Sequence, residues 1–286
     1  MDFSIKDFNV RIRTIKLSEV IILYIVSHIL AAIIISHLGI NDENINTIIF
    51  DSIIMVYFLI ASIGSRGMKE DFHSIFELGN SFRILGLSLM YFLFCQSLLM
   101  FLSSAGLYFT IKSPIFLNSF QIFGNSAHHY MASGNGLENP ANILLYFIAI
   151  VIVAPISEEL LFRVSLFNGL KKWKGSVFAV IVSSLIFGIG HFYGDGPLTH
   201  VMTASLFGML MCIFFMRHDN VFMNIAVHSI GNFLVFLGEF TPFLKILTIS
   251  PISTITFYLT MFSAVFVPAY IIYYAVKFDK KKAIGR

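Results

Sequence analysis

Charged residues are scarce in this 286-residue chain. Asp, Glu, Lys and Arg together make up 12% of it, whereas about 25% is usual in soluble domains. So few charges cannot cover the surface of a water-soluble globule. The hydrophobic content of 57% excludes a disordered chain, and a net charge of +3 is too small to indicate a nucleic-acid partner. The composition therefore indicates an integral protein of the lipid bilayer.

Cysteine is almost absent as well. The chain has two cysteines, Cys95 and Cys212, and both lie within apolar stretches. Two isolated thiols cannot build a disulfide framework or a thiol metal cluster. We interpret them as small residues of the core or of the lipid-facing surface.

Long apolar runs dominate the remaining sequence. A spanning helix needs about 20 mostly apolar residues, and the sequence predicts eight such helices, at 17–38, 46–64, 84–111, 141–170, 175–193, 197–216, 220–238 and 252–276. The runs at 84–111 and 141–170 exceed one straight span, so tilt, extension or a kink must absorb the excess. Pro155 is the expected kink site. We predict an all-α, polytopic membrane helical bundle that forms a single domain over residues 1–286.

The positive charges predict the orientation of these helices. With a cytoplasmic N-terminus, all but two of the 19 Lys and Arg residues fall on the cytoplasmic side, and the exceptions are Lys112 and Lys245. This asymmetry supports a multi-pass protein of the cell membrane with both termini in the cytoplasm. The first apolar run is longer than the ~7–15 residues of a signal peptide, so we expect a retained first span. Residues 112–140 are expected to form one long external loop.

Ionisable residues inside a span are costly unless they are paired, and they usually mark function. Glu158 and Glu159 follow a long apolar run, and Arg163 stands four residues after Glu159. This spacing suits an intrahelical ion pair. The pair would neutralise Glu159 and leave Glu158, on another face of the helix, available as a general base. The alternative is that both glutamates only tie helices together.

Two histidines are the other polar candidates. Phe187 and His191 share one helical face, and His228 and Asn232 share another. Taken singly, each histidine is more readily explained as a core residue than as a catalyst. Asp51 lies near the external end of its predicted span, and we interpret it as partly solvated.

These polar groups are predicted to lie at similar depths in the membrane, which suggests that they form one site. Counted from the nearest basic turn at ~1.5 Å per residue, Glu158, His191, His228 and Asn232 all lie about 16–25 Å from the cytoplasmic side. So few polar groups would rarely reach similar depths by chance. The sequence therefore predicts a motif-bearing catalytic core over about 141–238.

These residues also form three recognisable signatures. Glu158-Glu159-x-x-x-Arg163, Phe187-x-x-x-His191 and His228-x-x-x-Asn232 resemble, in order, the motifs of the CPBP family. That family joins type II CAAX prenyl proteases with bacteriocin-processing and bacteriocin-immunity membrane proteins, also called Abi. The resemblance implies that Glu159 and Arg163 hold their helix and tune the neighbouring carboxyl.

The same resemblance implies an activity. It indicates an intramembrane glutamate endopeptidase without a cofactor or metal. Glu158 would activate the attacking water with help from His191. His228 and Asn232 would stabilise the oxyanion of the tetrahedral intermediate. The substrate would be a peptide or a lipid-modified protein. The Ile-, Phe- and Asn-rich composition suggests a bacterial source, which favours a bacteriocin or signalling-peptide precursor.

Two other functions fit the same residues. In a zinc-dependent membrane peptidase, Glu158, His191 and His228 would bind the metal, with Glu159 as the base. Alternatively, a non-catalytic bacteriocin self-immunity or scaffold protein would use the site only for binding. A transporter is disfavoured because the sequence shows no paired half-repeats.

Overall fold

The computed structural model describes residues 17–39, 42–62, 72–89, 140–191 and 197–240, and isolated helical positions between 255 and 277. Within these residues all regular structure is helical, which confirms the predicted all-α class. The N-terminal basic segment, the predicted external loop, Cys95 and much of the third and eighth predicted spans lie outside the described residues.

Between residues 17 and 240, the described part of the chain contains seven helices longer than one turn. They are α1 (Leu17–Leu38), α2 (Glu43–Ser62), the described part of α3 (78–89), α4 (Pro140–Lys174), α5 (Ser176–Ile189), α6 (Pro197–His218) and α7 (Val221–Phe240). Helices α1, α2 and α4 to α7 coincide to within a few residues with six of the predicted spans. The apolar runs in the sequence therefore did mark the helices.

Three of these helices are long and apolar enough to cross a bilayer. They are the stretches Ser18–Leu38, Pro140–Lys174 and Val201–His218. Ile21, Ile22 and Ile33 of α1 are each more than half exposed, as expected for side chains that face lipid rather than water. These features support a membrane protein. The number of eight spans and the orientation of the termini stay predictions.

The core lies where the second half of α4 meets α5 and α6. Val164 and Phe167 of α4, Ala179 of α5 and Phe215 of α6 are almost completely buried there, and Ile54 of α2 joins them from the other side. Helix α4 thus runs through the middle of the described bundle. Side chains along it can reach α2, α5, α6 or α7.

Helices α5 and α6 approach each other closely. A Cβ atom added at Gly208 would lie 3.1 Å from the Cα of Ser184, and one at Gly188 would lie 2.6 Å from the carbonyl oxygen of Val201. Small residues permit this contact between membrane helices. The close approach brings Phe187 of α5 beside Phe207 of α6, with 5.9 Å between the ring centroids.

Near Pro155, helix α4 changes from π-helical to α-helical geometry and back again. Ile148–Val153 and Glu159–Phe167 are π-helical, and Ala154–Glu158 between them is α-helical. The Ala154 N–H bonds to the carbonyl of Ala149, five residues back. The sequence indicated Pro155 as a kink site but gave no sign of these wide turns, which are frequent at functional sites. Glu158 and Glu159 lie on either side of the second change.

Candidate active site

Glu159 is a carboxylate that is fully enclosed by protein. Its side chain has no exposed surface. Its Oε1 lies 3.3 Å from Nη1 of Arg163 and 2.9 Å from Nδ1 of His228, and its Oε2 accepts a hydrogen bond of 3.2 Å from Nδ2 of Asn224. The predicted ion pair with Arg163 is therefore present. The negative charge is compensated both from α4 itself and from α7.

Arg163 is equally buried, with 1% of its surface exposed. Its guanidinium carbon lies 4.6 Å from the ring centroid of Phe187 and 5.8 Å from that of Phe207. The faces of aromatic rings attract cations, most strongly where water is excluded. Within the described part of the chain, no guanidinium N–H makes a well-directed hydrogen bond. The cation therefore depends on Glu159 and on these rings.

His228 lies between the two glutamates. Its Nδ1 faces Glu159 Oε1 at 2.9 Å, and its Nε2 lies 3.6 Å from Oε2 of Glu158. The Glu158 side chain is 24% exposed, against 4% for His228. Because a carboxylate only accepts hydrogen bonds, Nδ1 carries a proton, and this contact fixes the orientation of the ring. One imidazole thus links the enclosed carboxylate to the accessible one.

Phe187 brings the second histidine to the same place. Its ring centroid lies 4.6 Å from that of His191 and 6.2 Å from that of His228. Nδ1 of His191 lies 2.9 Å from the carbonyl oxygen of Phe187, so Nδ1 donates and Nε2 carries the lone pair in the neutral ring. Arg163, His191 and His228 therefore lie around Phe187. His228 also faces Glu158 and Glu159, so the structure brings together six of the seven residues predicted from the sequence.

Asn232, the seventh, contacts the backbone of α4. Its Nδ2 donates to the carbonyl oxygen of Ile150 at 2.8 Å. The Ala154 N–H is directed to Ala149, and the next residue, Pro155, has no N–H to offer. Asn232 therefore supplies the donor that the proline lacks. It does so one turn along α7 from His228.

Asn224 is a site residue that the sequence analysis missed. Its Nδ2 bonds to Oε2 of Glu159 and also lies 3.0 Å from the carbonyl oxygen of Met211 on α6. A signal was available, because Asn224, His228 and Asn232 recur every four residues and so share one face of a helix.

Asp51 was misinterpreted as partly solvated. It is 5% exposed, because α2 packs against α4 and encloses the carboxyl group. Oγ of Ser157 donates a hydrogen bond of 2.6 Å to Oδ1 of Asp51. Only the packing of α2 on α4 reveals this contact, since it joins residues far apart in the chain.

The donors proposed for zinc are not grouped as a metal site. Among the residues that the structure describes, no three His, Cys, Asp or Glu side chains are placed to hold one ion. Nδ1 of His228 is directed at Glu159 and Nδ1 of His191 at a backbone carbonyl, so a metal could bind these rings only through Nε2. The set Glu158, His191 and His228 therefore does not form the metal-binding group that the zinc alternative requires.

Comparison with known proteins points to the family suggested by the motifs. Residues 140–234 match the family model described as "Type II CAAX prenyl endopeptidase Rce1-like". The predicted resemblance is confirmed. This Rce1-like segment begins with α4 and ends within α7, so it contains every candidate residue from Glu158 to Asn232. It supports a CAAX-protease-like membrane peptidase at the level of the family.

The chain is also similar to one curated protein. The chain is 30% identical over 128 residues to "Putative membrane peptidase YdiL" of Bacillus subtilis (strain 168). The alignment covers 42% of this chain and 51% of the relative, so the chain spans about half the length of the curated relative that it matches. No solved structure matches the chain.

The buried ion pair predicts a large effect on stability. Arg163→Met leaves the Glu159 carboxylate enclosed without its cation, and we expect a loss of about 3–5 kcal/mol. Adding Glu159→Gln removes the unpaired charge and should recover part of that loss. Thermal unfolding of the purified protein in detergent measures both effects, with Arg217→Met at the exposed end of α6 as the control. An unchanged unfolding temperature for Arg163→Met would contradict this account.

The contact between Asn232 and Ile150 predicts that the effects of two substitutions are coupled. Asn232→Ala leaves a carbonyl without a donor and should cost about 1–3 kcal/mol. Pro155→Ala restores a backbone N–H next to that carbonyl, so Asn232→Ala should cost less in this background. Unfolding temperatures of the two single variants and the double variant test this coupling. Equal losses in both backgrounds would show that Asn232 does not replace the missing donor.

Proposed function

We propose that this protein is an intramembrane endopeptidase in which Glu158 activates a water molecule for attack on a peptide bond. The supporting observation is the contrast between two adjacent carboxylates. Glu159 is enclosed and contacts three polar partners, whereas Glu158 is partly exposed and faces one nitrogen of His228. Glu158 is therefore the carboxylate that can reach water and accept its proton.

His228 would act as a hydrogen-bond donor in the reaction, with no net gain or loss of a proton. Nε2 of His228 lies 3.6 Å from Oε2 of Glu158 and so faces the place where Glu158 would hold the water. With a proton on Nε2, His228 can donate a hydrogen bond to the oxyanion that forms at the attacked carbonyl. Glu159 serves this step by holding the ring in place through Nδ1.

The proton balance follows from these positions. Glu158 takes one proton from water as the hydroxide oxygen adds to the carbonyl carbon. The tetrahedral intermediate then expels the amine, and Glu158 returns the proton to the leaving nitrogen. The products are a carboxylic acid, which keeps the other proton of the water, and an amine; the acid then loses that proton to solvent and becomes a carboxylate.

Two further residues would assist the water and the oxyanion. His191 donates from Nδ1 to the Phe187 carbonyl, so the lone pair on Nε2 suits it to orient the attacking water. An asparagine amide has two hydrogens, and Asn232 uses one on Ile150. The other is a donor for the oxyanion.

The proposed setting is a multi-pass protein of the cell membrane with eight spans and both termini in the cytoplasm. The substrate would be a membrane-associated peptide or lipid-modified protein. Of these we favour a precursor peptide, such as a bacteriocin or signalling-peptide precursor. The catalytic core would comprise about residues 141–238 of one membrane domain.

The central residue can be tested by a single isosteric change. Glu158→Gln keeps the shape of the side chain but removes the base, so it should lower kcat by about 10²–10⁴-fold. The assay is cleavage of a fluorogenic peptide library, including prenylated peptides, by purified protein in detergent. Glu77→Gln, at an exposed glutamate outside the site, is the matched control and should keep wild-type activity.

Chelator treatment and a cell-protection assay complete this test. Activity that is insensitive to chelator supports the glutamate mechanism, whereas activity lost on chelation and restored by zinc would support the zinc peptidase. No cleavage by the wild type, together with protection of cells from a bacteriocin by Glu158→Ala, would contradict the proposal and favour an immunity protein.

A further inference from the structure

Asp51 is a buried carboxyl group that takes no part in the chemistry proposed above. It lies on α2 with 5% of its surface exposed, and its hydrogen-bond partner Ser157 on α4 is 1% exposed. Burying two polar side chains between helices is costly unless they bond to each other. Their 2.6 Å hydrogen bond meets that condition and ties α2 to α4 at one point.

That point lies immediately next to Glu158. Ser157 precedes Glu158 in the short α-helical segment Ala154–Glu158, and the winding of α4 widens again from Glu159 onward. A change from α-helical to π-helical geometry alters the angle at which successive side chains leave the helix. Because the hydrogen bond to Asp51 holds Ser157 in place, it also sets the direction in which the next side chain, Glu158, projects.

Other contacts hold α4 on both sides of this segment. Before it, Asn232 binds the carbonyl of Ile150, and after it, His228 binds the carboxylate of Glu159. Asp51 anchors the middle of the segment. Glu158 is thus carried by a turn that is tied to α2 and α7, while its own carboxyl group remains partly exposed.

Helix α1 packs against α2 at the residue next to Asp51. The ring of Phe50, next to Asp51 in α2, lies 4.2 Å from the ring of His28 and 5.8 Å from that of Tyr24, measured between centroids. These aromatic contacts hold α1 against α2.

We propose that Asp51 is a positioning residue of the active site, whose hydrogen bond with Ser157 holds the Glu158 carboxylate toward His228. The inference rests on the proposed function, because positioning has meaning only if Glu158 reacts. It assigns to α2, which lies outside the Rce1-like segment, a part in setting the geometry of the site.

The kinetic test separates the hydrogen bond from the charge. Asp51→Ala and Ser157→Ala both remove the bond and should lower kcat by up to about 10²-fold with little change in KM, because misplacing a reacting group costs rate more than binding. Asp51→Asn keeps an acceptor oxygen and should stay within a few-fold of the wild type. The double variant Asp51→Ala/Ser157→Ala should be no slower than the slower single variant.

The control is Ser183→Ala, which removes another buried serine hydroxyl. That hydroxyl donates to the Ala179 carbonyl in its own helix, α5, and lies 3.5 Å from the thiol of Cys212 on α6. This variant should keep kcat. Wild-type kcat in Ser157→Ala would overturn the proposal. An Asp51→Asn variant with a kcat as low as that of Ser157→Ala would also overturn the proposal, because the loss of rate would then come from the missing charge of Asp51 and not from the missing hydrogen bond. These two variants decide the question even if Asp51→Ala is not recovered folded.

Thermal unfolding gives a readout that does not need activity. If Asp51 and Ser157 are bonded, their alanine variants lower the unfolding temperature by less in combination than the sum of the single effects. Additive losses overturn the contact itself. If the wild type cleaves no peptide, the proposed function fails and Asp51 has no positioning role, while non-additive losses would still establish the contact between α2 and α4.

Discussion

The need to compensate one enclosed carboxylate, Glu159, governs the arrangement of the site. A charge inside an apolar bundle is tolerated only with close partners. Arg163 provides the charge from the same helix, and Asn224 and His228 provide donors from α7. Because those donors must meet one carboxylate, they fix how α4 and α7 lie against each other. The same contacts bring His228 to Glu158.

The two adjacent glutamates therefore have different surroundings. Glu159 is fully enclosed, and its carboxylate oxygens contact Arg163, His228 and Asn224, so substrate cannot reach it. Glu158 projects from the neighbouring position of the same helix, where the site is accessible. Buried aromatic rings from α5 and α6 complete the surroundings by holding the Arg163 cation. A buried ion pair thus lies beside an accessible carboxylate, which is the arrangement that the proposed reaction requires.

Much of this could be predicted from the sequence, since some features are local. The length of an apolar run predicts a membrane helix, which is why 17–38 and 220–238 match α1 and α7 closely. The four-residue spacing of Glu159 and Arg163 predicts their ion pair. Depth along each helix could be counted from the basic turns, and it placed Glu158, His191 and His228 at a common level.

Other features depend on the rotation of each helix about its axis and on its packing against neighbours. The depth of a residue along its helix determines neither of these. The bridge made by His228 needs α7 turned toward both glutamates, and the burial of Asp51 needs α2 against α4. The π-helical turns of α4 have no simple signature in the sequence. Pro155 indicated a disturbance, but not that Asn232 on another helix would supply the missing donor. Asn224 alone could have been found, from its spacing to His228.

The most direct test of the central claim follows the oxygen of the attacking water. A single turnover of the purified protein in H₂¹⁸O, analysed by mass spectrometry, reports where the labelled oxygen ends. If Glu158 acts as a base, the label appears in the new carboxylate of the cleaved peptide and Glu158 stays unlabelled. Label in the Glu158 side chain would mean that this residue attacks the substrate itself, and would contradict the account.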